Sequence, residues 1–205
     1  MTSSKEISST QPIVETKDSF VFTDKNQQEI DIILQKYPPD RQASAILPLL
    51  DLAQRQCGGW LPQAAIETVA KLLQMPAIRA YEVASFYTMF NLAPVGKHHI
   101  QLCRTMPCWL RGGEEIQSVC ESHLGIKPGE VTPDGKFSLS KVECLGACIN
   151  APMAQINDDY YENLTPESMK SVLQNLATGK PAKNDKSSSL KQKENYQKDG
   201  EEEVL

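Results

Sequence analysis

Residues 98–108 run His98-His-Ile-Gln-Leu-Cys-Arg-Thr-Met-Pro-Cys108. Ile100 and Leu102 alternate with His99, Gln101 and Cys103, the two-residue period of a half-buried strand. The strand expected here ends on a cysteine, and Cys108 completes a C-x4-C pair in the loop expected beyond it. The pattern returns downstream. Phe137 and Leu139 alternate with Ser138 and Ser140 in a segment that runs into Cys144, and Cys148 completes a C-x3-C pair. Two neighbouring strands of one sheet would deliver both pairs to the same edge of a domain.

Outward from these strands the periods change. Ile116, Val119, Cys120 and Leu124 mark one face of a helix over about 113–124. Ala154 and Ile156 suggest a third strand and Tyr160–Asn163 a fourth, with Asp158-Asp159 in the turn between them. A last helix is expected over 166–177. It has Thr165 as N-cap, Pro166 as first residue, and Met169, Val172, Leu173 and Leu176 as its buried stripe. The order β-α-β-β-α fits a small α/β sandwich of the thioredoxin type.

Upstream the apolar period is helical. Ile30, Ile33, Leu34 and Tyr37 form one stripe, Ile46, Leu49, Leu50 and Ala53 a second, and Ile66, Val69, Ala70 and Leu73 a third. Pro48 should kink the second helix or begin its main part. A fourth helix, about 76–90, is expected to start at Pro76 and to carry Tyr81, Val83, Phe86, Tyr87 and Phe90. These aromatics and Trp60 read first as core, with room for a partner surface. The fold class is therefore α+β: a small N-terminal helical bundle (25–92) followed by a thioredoxin-like α/β domain (93–178). Residues 1–24 and 179–205 read as polar tails, the second charged and disordered.

The 205 residues are 40% hydrophobic with a net charge of −5, which lacks the basic footprint of a nucleic-acid binder. No run approaches the ~18 apolar residues of a membrane span; the best, Ala45–Ala53, is broken by Pro48 and Asp51. The first twenty residues have no Arg and no apolar segment and carry Glu6, Glu15 and Asp18. They read as neither a secretory signal nor a transit peptide, so a cytosolic setting is expected. There the six cysteines point to metal or redox chemistry rather than disulfides.

C-x4-C with C-x3-C is wide enough for a [2Fe–2S] rhomb, which takes two thiolates per iron. Structural zinc more often uses C-x2-C, although wider spacings occur, so a zinc module stays open on spacing alone. Gly112-Gly113 after the first pair and Gly146 inside the second allow tight turns with inward N–H groups, which favours an anionic cluster. The oxidised cluster is already an anion, and only Arg104 and Arg111 stand near it in sequence, so a low potential is expected. A dithiol oxidoreductase would want C-x-x-C, which these pairs lack. Rieske ligation would want two histidines; His98 and His99 read as surface residues and His123 as a helix-end cap. Cys120 reads as core and Cys57 as a buried small residue.

Five stretches carry a resemblance: Lys36-Tyr-Pro-Pro39, Ala53-Gln-Arg-Gln-Cys-Gly-Gly-Trp-Leu-Pro62, Tyr81-Glu-Val-Ala-Ser-Phe-Tyr-Thr-Met-Phe90, Glu143-Cys-Leu-Gly-Ala-Cys-Ile-Asn-Ala-Pro-Met153 and Asn157-Asp-Asp-Tyr-Tyr-Glu162. Over about residues 25–178 the chain resembles the 24 kDa, thioredoxin-like [2Fe–2S] ferredoxin subunits of respiratory complex I, NADH–quinone oxidoreductase. The resemblance implies one [2Fe–2S] cluster on Cys103, Cys108, Cys144 and Cys148, no catalytic residue of its own, and an electron taken from FMN. It also implies that FMN and NADH sit in a partner flavoprotein subunit of the peripheral arm, with no direct membrane insertion. Without a transit peptide the setting implied is the cytoplasmic side of a bacterial inner membrane rather than a mitochondrial matrix. An equivalent subunit of an NAD-linked hydrogenase or formate dehydrogenase is the alternative.

Overall fold

The computed structural model describes residues 19–180. The two polar tails of the sequence reading therefore lie outside the described residues, except for 19–24 and 179–180. The chain divides into two compact units that part between Pro94 and Val95.

The first unit holds four helices: α1 (Asp24–Gln35), α2 (Ile46–Gln56), α3 (Gln63–Leu72) and α4 (Ala77–Phe86), with a 3₁₀ turn over Gln42–Ala45 before α2. Pro48 sits in the first turn of α2, where its missing N–H costs nothing, so it begins the helix rather than kinking it. The stripes expected on the first three helices supply the core: Ile30, Leu49, Leu50, Ile66 and Val69 are almost fully buried. Phe20 and Phe22, in the stretch read as tail, join them, and Thr23 caps α1 by accepting from the Asn26 N–H.

The fourth helix departs from expectation. Pro76 stands at its N-cap, and the helix stops at Phe86 because Tyr87 turns extended (φ −86°, ψ 108°). Its buried face is Ala80 and Ala84, small residues that permit close helix packing, while Phe86 and Tyr87 are exposed. Phe90 alone of the three aromatics over 86–90 enters the core, beyond the turn.

The second unit is a mixed sheet in the order β2-β1-β3-β4. Its strands are β1 (His98–Cys103), β2 (Phe137–Val142), β3 (Ala154–Ile156) and β4 (Asp159–Tyr161). Its helices are α5 (Met106–Leu110), α6 (Gly113–Leu124) and α7 (Pro166–Ala177). β1 pairs parallel with β2 and antiparallel with β3. The β1-α6-β2 crossover is what a parallel neighbour requires. Ile100, Leu102, Phe137 and Leu139 share one core with Ile116 and Cys120 of α6 and Met169, Val172 and Leu173 of α7, giving two layers. The β3–β4 turn falls on Asn157 and Asp158, one residue earlier than expected, since Asn157 takes a left-handed φ of +55° that asparagine tolerates. Thr165 caps α7 through a reciprocal box with Ser168. The end of α6 is capped by Gly125 in a left-handed conformation, not by His123.

Candidate metal centre

β1 and β2 end side by side. The register pairs Cys103 with Val142, and the Arg104 N–H donates to the Val142 carbonyl at 3.1 Å. Cys144 therefore leaves the sheet two residues beyond the partner of Cys103. The second cysteine of each pair lies in a short helix rather than the expected loop. Cys108 is in α5, and Cys148 opens the 3₁₀ turn Cys148–Asn150. Five and three residues are too few for an apolar period to register. Gly113 lets α5 and α6 meet: a Cβ there would lie 2.8 Å from the Cys108 carbonyl oxygen.

The four thiols form one group built of two pairs. The Cys144 and Cys148 sulfurs are 3.3 Å apart. The Cys103 and Cys108 thiols hydrogen-bond to each other, and Cys108 also feels the charge of Cys148. Cys103 and Cys108 are buried in an apolar nest with Ala151 and Met153, flanked by Leu145 and Ala147. Cys144 is exposed and Cys148 half-buried. Among the described residues no three His, Cys, Asp or Glu side chains close around one point as the ligands of a single ion.

Each pair holds one thiol whose pKa is lowered and one whose pKa is raised. Burial raises Cys103, but hydrogen bonds from Thr105, Cys108 and the Leu145 N–H outweigh it and leave the thiol lowered. Burial, then the Cys103 thiol, pushes Cys108 up to about 11. The Gly146 N–H, then Cys148, lowers Cys144, while Cys144 raises Cys148. The Gly146 N–H reaches the Cys144 sulfur at 3.4 Å from a left-handed backbone (φ +86°) that a side chain would strain. Tyr160 steadies this loop, its hydroxyl donating to the Leu145 carbonyl at 2.9 Å.

These donors suit an iron–sulfur centre. Four soft thiols in two pairs supply two per iron, and the 3.3 Å sulfur separation needs only a small opening. The edge of a tetrahedron with ~2.3 Å metal–sulfur bonds is about 3.8 Å. The charge of Arg104, next to Cys103 in sequence, is offset, since its Nε donates to Glu143 at 3.0 Å across the strand ends. Cys120 is fully buried among the sheet-side core, its thiol pushed up to about 12 by burial and Glu121. Cys57 is half-buried against the helical core.

The histidines are not the surface residues expected. His99 faces its register partner Ser138, with Nδ1 2.7 Å from the hydroxyl, and Ser140 lies 3.5 Å from Nε2. Ser138 accepts from the Gly96 N–H at 3.0 Å, which leaves its own proton to donate to Nδ1. That arrangement suits a neutral ring, and burial holds the His99 pKa below its ordinary value. Burial and then Lys97 lower His98 as well. A histidine harder to protonate folded than unfolded contributes stability above its unfolded pKa of about 6.5, lost as pH falls through the folded value. Chemical unfolding of H99Q should therefore lose less stability than the parent between about pH 8 and pH 5.5. Parallel losses would remove His99 as the cause.

The residues missed by sequence reading are Thr105, whose hydroxyl lies 3.3 Å from the Cys103 sulfur, and the Leu145 N–H and Met153 around the buried pair. Their only signal was position beside the cysteines.

A two-layer α/β unit with four thiols at adjacent strand ends, half sunk in apolar surface, belongs to the ferredoxin class of electron carriers. The family model for thioredoxin-like [2Fe-2S] ferredoxin matches residues 30–177, and the chain belongs to that family, whose prosthetic group is one [2Fe–2S] cluster. It is 63% identical over 158 residues to the E subunit of NADH-quinone oxidoreductase from Rickettsia bellii, covering 77% of this chain and 95% of the relative. It is 52% identical over 175 residues to mitochondrial NADH dehydrogenase [ubiquinone] flavoprotein 2 of Dictyostelium discoideum, covering 83% and 71%. An NAD+-reducing [NiFe]-hydrogenase structure shares the fold at a TM-score of 0.58 and 22% identity, over 65% of this chain and 23% of that one.

Proposed function

We propose that this chain is the thioredoxin-like ferredoxin subunit of an NADH–quinone oxidoreductase, respiratory complex I. In it Cys103, Cys108, Cys144 and Cys148 hold one [2Fe–2S] cluster that exchanges single electrons with FMN in a partner flavoprotein subunit. The observation that carries this reading is the meeting of two thiol pairs at the ends of β1 and β2, in a chain 63% identical to a bacterial NADH-quinone oxidoreductase component. Identity at that level over 95% of the relative favours complex I above a hydrogenase or formate dehydrogenase module.

When bound, the cluster supplies one-electron storage with no proton required. The residues do the rest. Cys103 and Cys108 would hold the cluster from the buried side, in the apolar nest where Met153 and Ala151 keep water out. Cys144 and Cys148 would hold it from the more exposed side of the site. The Gly146 N–H would stabilise the negative charge on the Cys144 sulfur it faces. Met106, Trp109 and Leu110 stand exposed on the helix that carries Cys108, and Ile149 on the turn that carries Cys148. Apolar side chains beside the thiols suit a flavoprotein that must bring its donor close and dry. FMN and NADH bind that partner.

No helix among the described residues is long and apolar enough to cross a membrane. We place the chain at the periphery of a bacterial inner membrane, on its cytoplasmic side, a reading that rests on the bacterial source of its relatives. The test is anaerobic purification of the full chain with metal assay and EPR. About two irons per chain and a low-temperature signal after dithionite are expected. NADH should elicit that signal only when the flavoprotein subunit is present. An EPR-silent, zinc-loaded chain would overturn the cluster, and reduction by NADH without the flavoprotein would overturn the partner.

A further inference from the structure

Among the described residues three threonines stand at helix N-caps. Thr23 accepts from Asn26 and Thr165 from Ser168, as N-cap threonines ordinarily do. Thr105, at the N-cap of α5, has the same extended backbone (φ −74°, ψ 166°) but makes no side-chain cap. Pro107 removes one of the N–H groups such a cap would bind. The hydroxyl turns the other way, to 3.3 Å from the Cys103 sulfur.

We propose that Thr105 is a positioning residue that tunes the cluster's potential by donating its hydroxyl proton to the Cys103 sulfur in place of capping α5. The inference rests on the four-cysteine reading above. Once Cys103 is a metal-bound thiolate it has no proton to give, so the hydroxyl must be the donor. Thr105 is half-buried, which keeps water from replacing it freely. A donor on a thiolate favours the form with more negative charge, which is the reduced form. The backbone donor at Gly146 cannot be removed by a side-chain change; the hydroxyl can.

Thr105→Val keeps the shape and deletes the donor, whereas Thr105→Ser keeps the donor and deletes a methyl. Both full-length chains and the parent are assayed for iron, then titrated with EPR detection of the reduced cluster. A parent chain without iron would sink the cysteine reading itself, before Thr105 is tested. With the parent loaded, the valine chain should hold about two irons. Its reduction should be roughly tenfold less favourable, about 59 mV lower for one electron. The serine chain should recover most of that shift, and thermal unfolding of both should stay near the parent. An unshifted valine chain, or a serine chain shifted as far as valine, would overturn the proposal. So would loss of iron in either variant, because the hydroxyl or its methyl would then serve assembly rather than potential.

Discussion

Cys144→Ala should take iron from about two per chain to near none and erase the native EPR signal, while Cys120→Ala should leave both in place. The two cysteines differ in every respect that bears on ligation. Cys144 is exposed, 3.3 Å from the Cys148 sulfur, with its thiol lowered by the Gly146 N–H. Removing it leaves three thiols for two irons, and the flanking carboxylate, Glu143, is paired with Arg104. Cys120 is fully buried between α6 and the sheet, in an apolar cluster separate from the one that holds Cys103 and Cys108. Trimming it leaves a small cavity costing about 1 kcal/mol. Iron assay and EPR on the two variants, with circular dichroism to check folding, decide the matter. Loss of the cluster in Cys120→Ala, or its retention in Cys144→Ala, would refute the ligand set.

Much of the second unit was legible in the sequence. β1, β2, α6 and α7 fall where alternation, helical period and the Thr165-Pro166 start put them, because each buries one clear stripe against the same core. What escaped is physically of two kinds. Short helices escaped because α5 and the turn at Cys148 are shorter than any repeat that would mark them. Burial decided by a neighbour escaped too. His99 is half-buried because register sets Ser138 beside it, and α4 buries Ala80 and Ala84 while Phe86 faces out. At the candidate site the four cysteines were readable from spacing and strand ends. Thr105 was not, since its sequence signature is that of an ordinary helix cap and only the direction of its side chain distinguishes it.

Gly96→Ala should be the most damaging conservative change outside the cysteines. A Cβ at residue 96 would lie 2.3 Å from the Phe137 carbonyl carbon and 2.6 Å from the Ser138 nitrogen. Both are backbone atoms of β2, so no flexible side-chain tip can give way. Relief requires lifting the start of β1 from β2. That strains the Lys97 N–H bond to Gly135, the His98 N–H bond to Lys136, and the Gly96–Ser138 contact that orients His99. The cost should be about 3 kcal/mol or more, a fall in Tm of at least about 10 °C for a domain of this size. Gly125→Ala is the contrast. Its left-handed φ of +68° strains any side chain, yet nothing lies within 4 Å of the new Cβ, so about 1–2 kcal/mol is expected. Thermal unfolding followed by far-UV circular dichroism and by cluster absorbance should rank the two in that order. Because β1 and β2 together carry Cys103 and Cys144 to one edge, the Gly96 variant should also release iron at a lower temperature than the Gly125 variant. A Gly96→Ala chain within about 0.5 kcal/mol of the parent would mean that the strands can part at this end without loss, and that the β1–β2 register is held from the cysteine end instead.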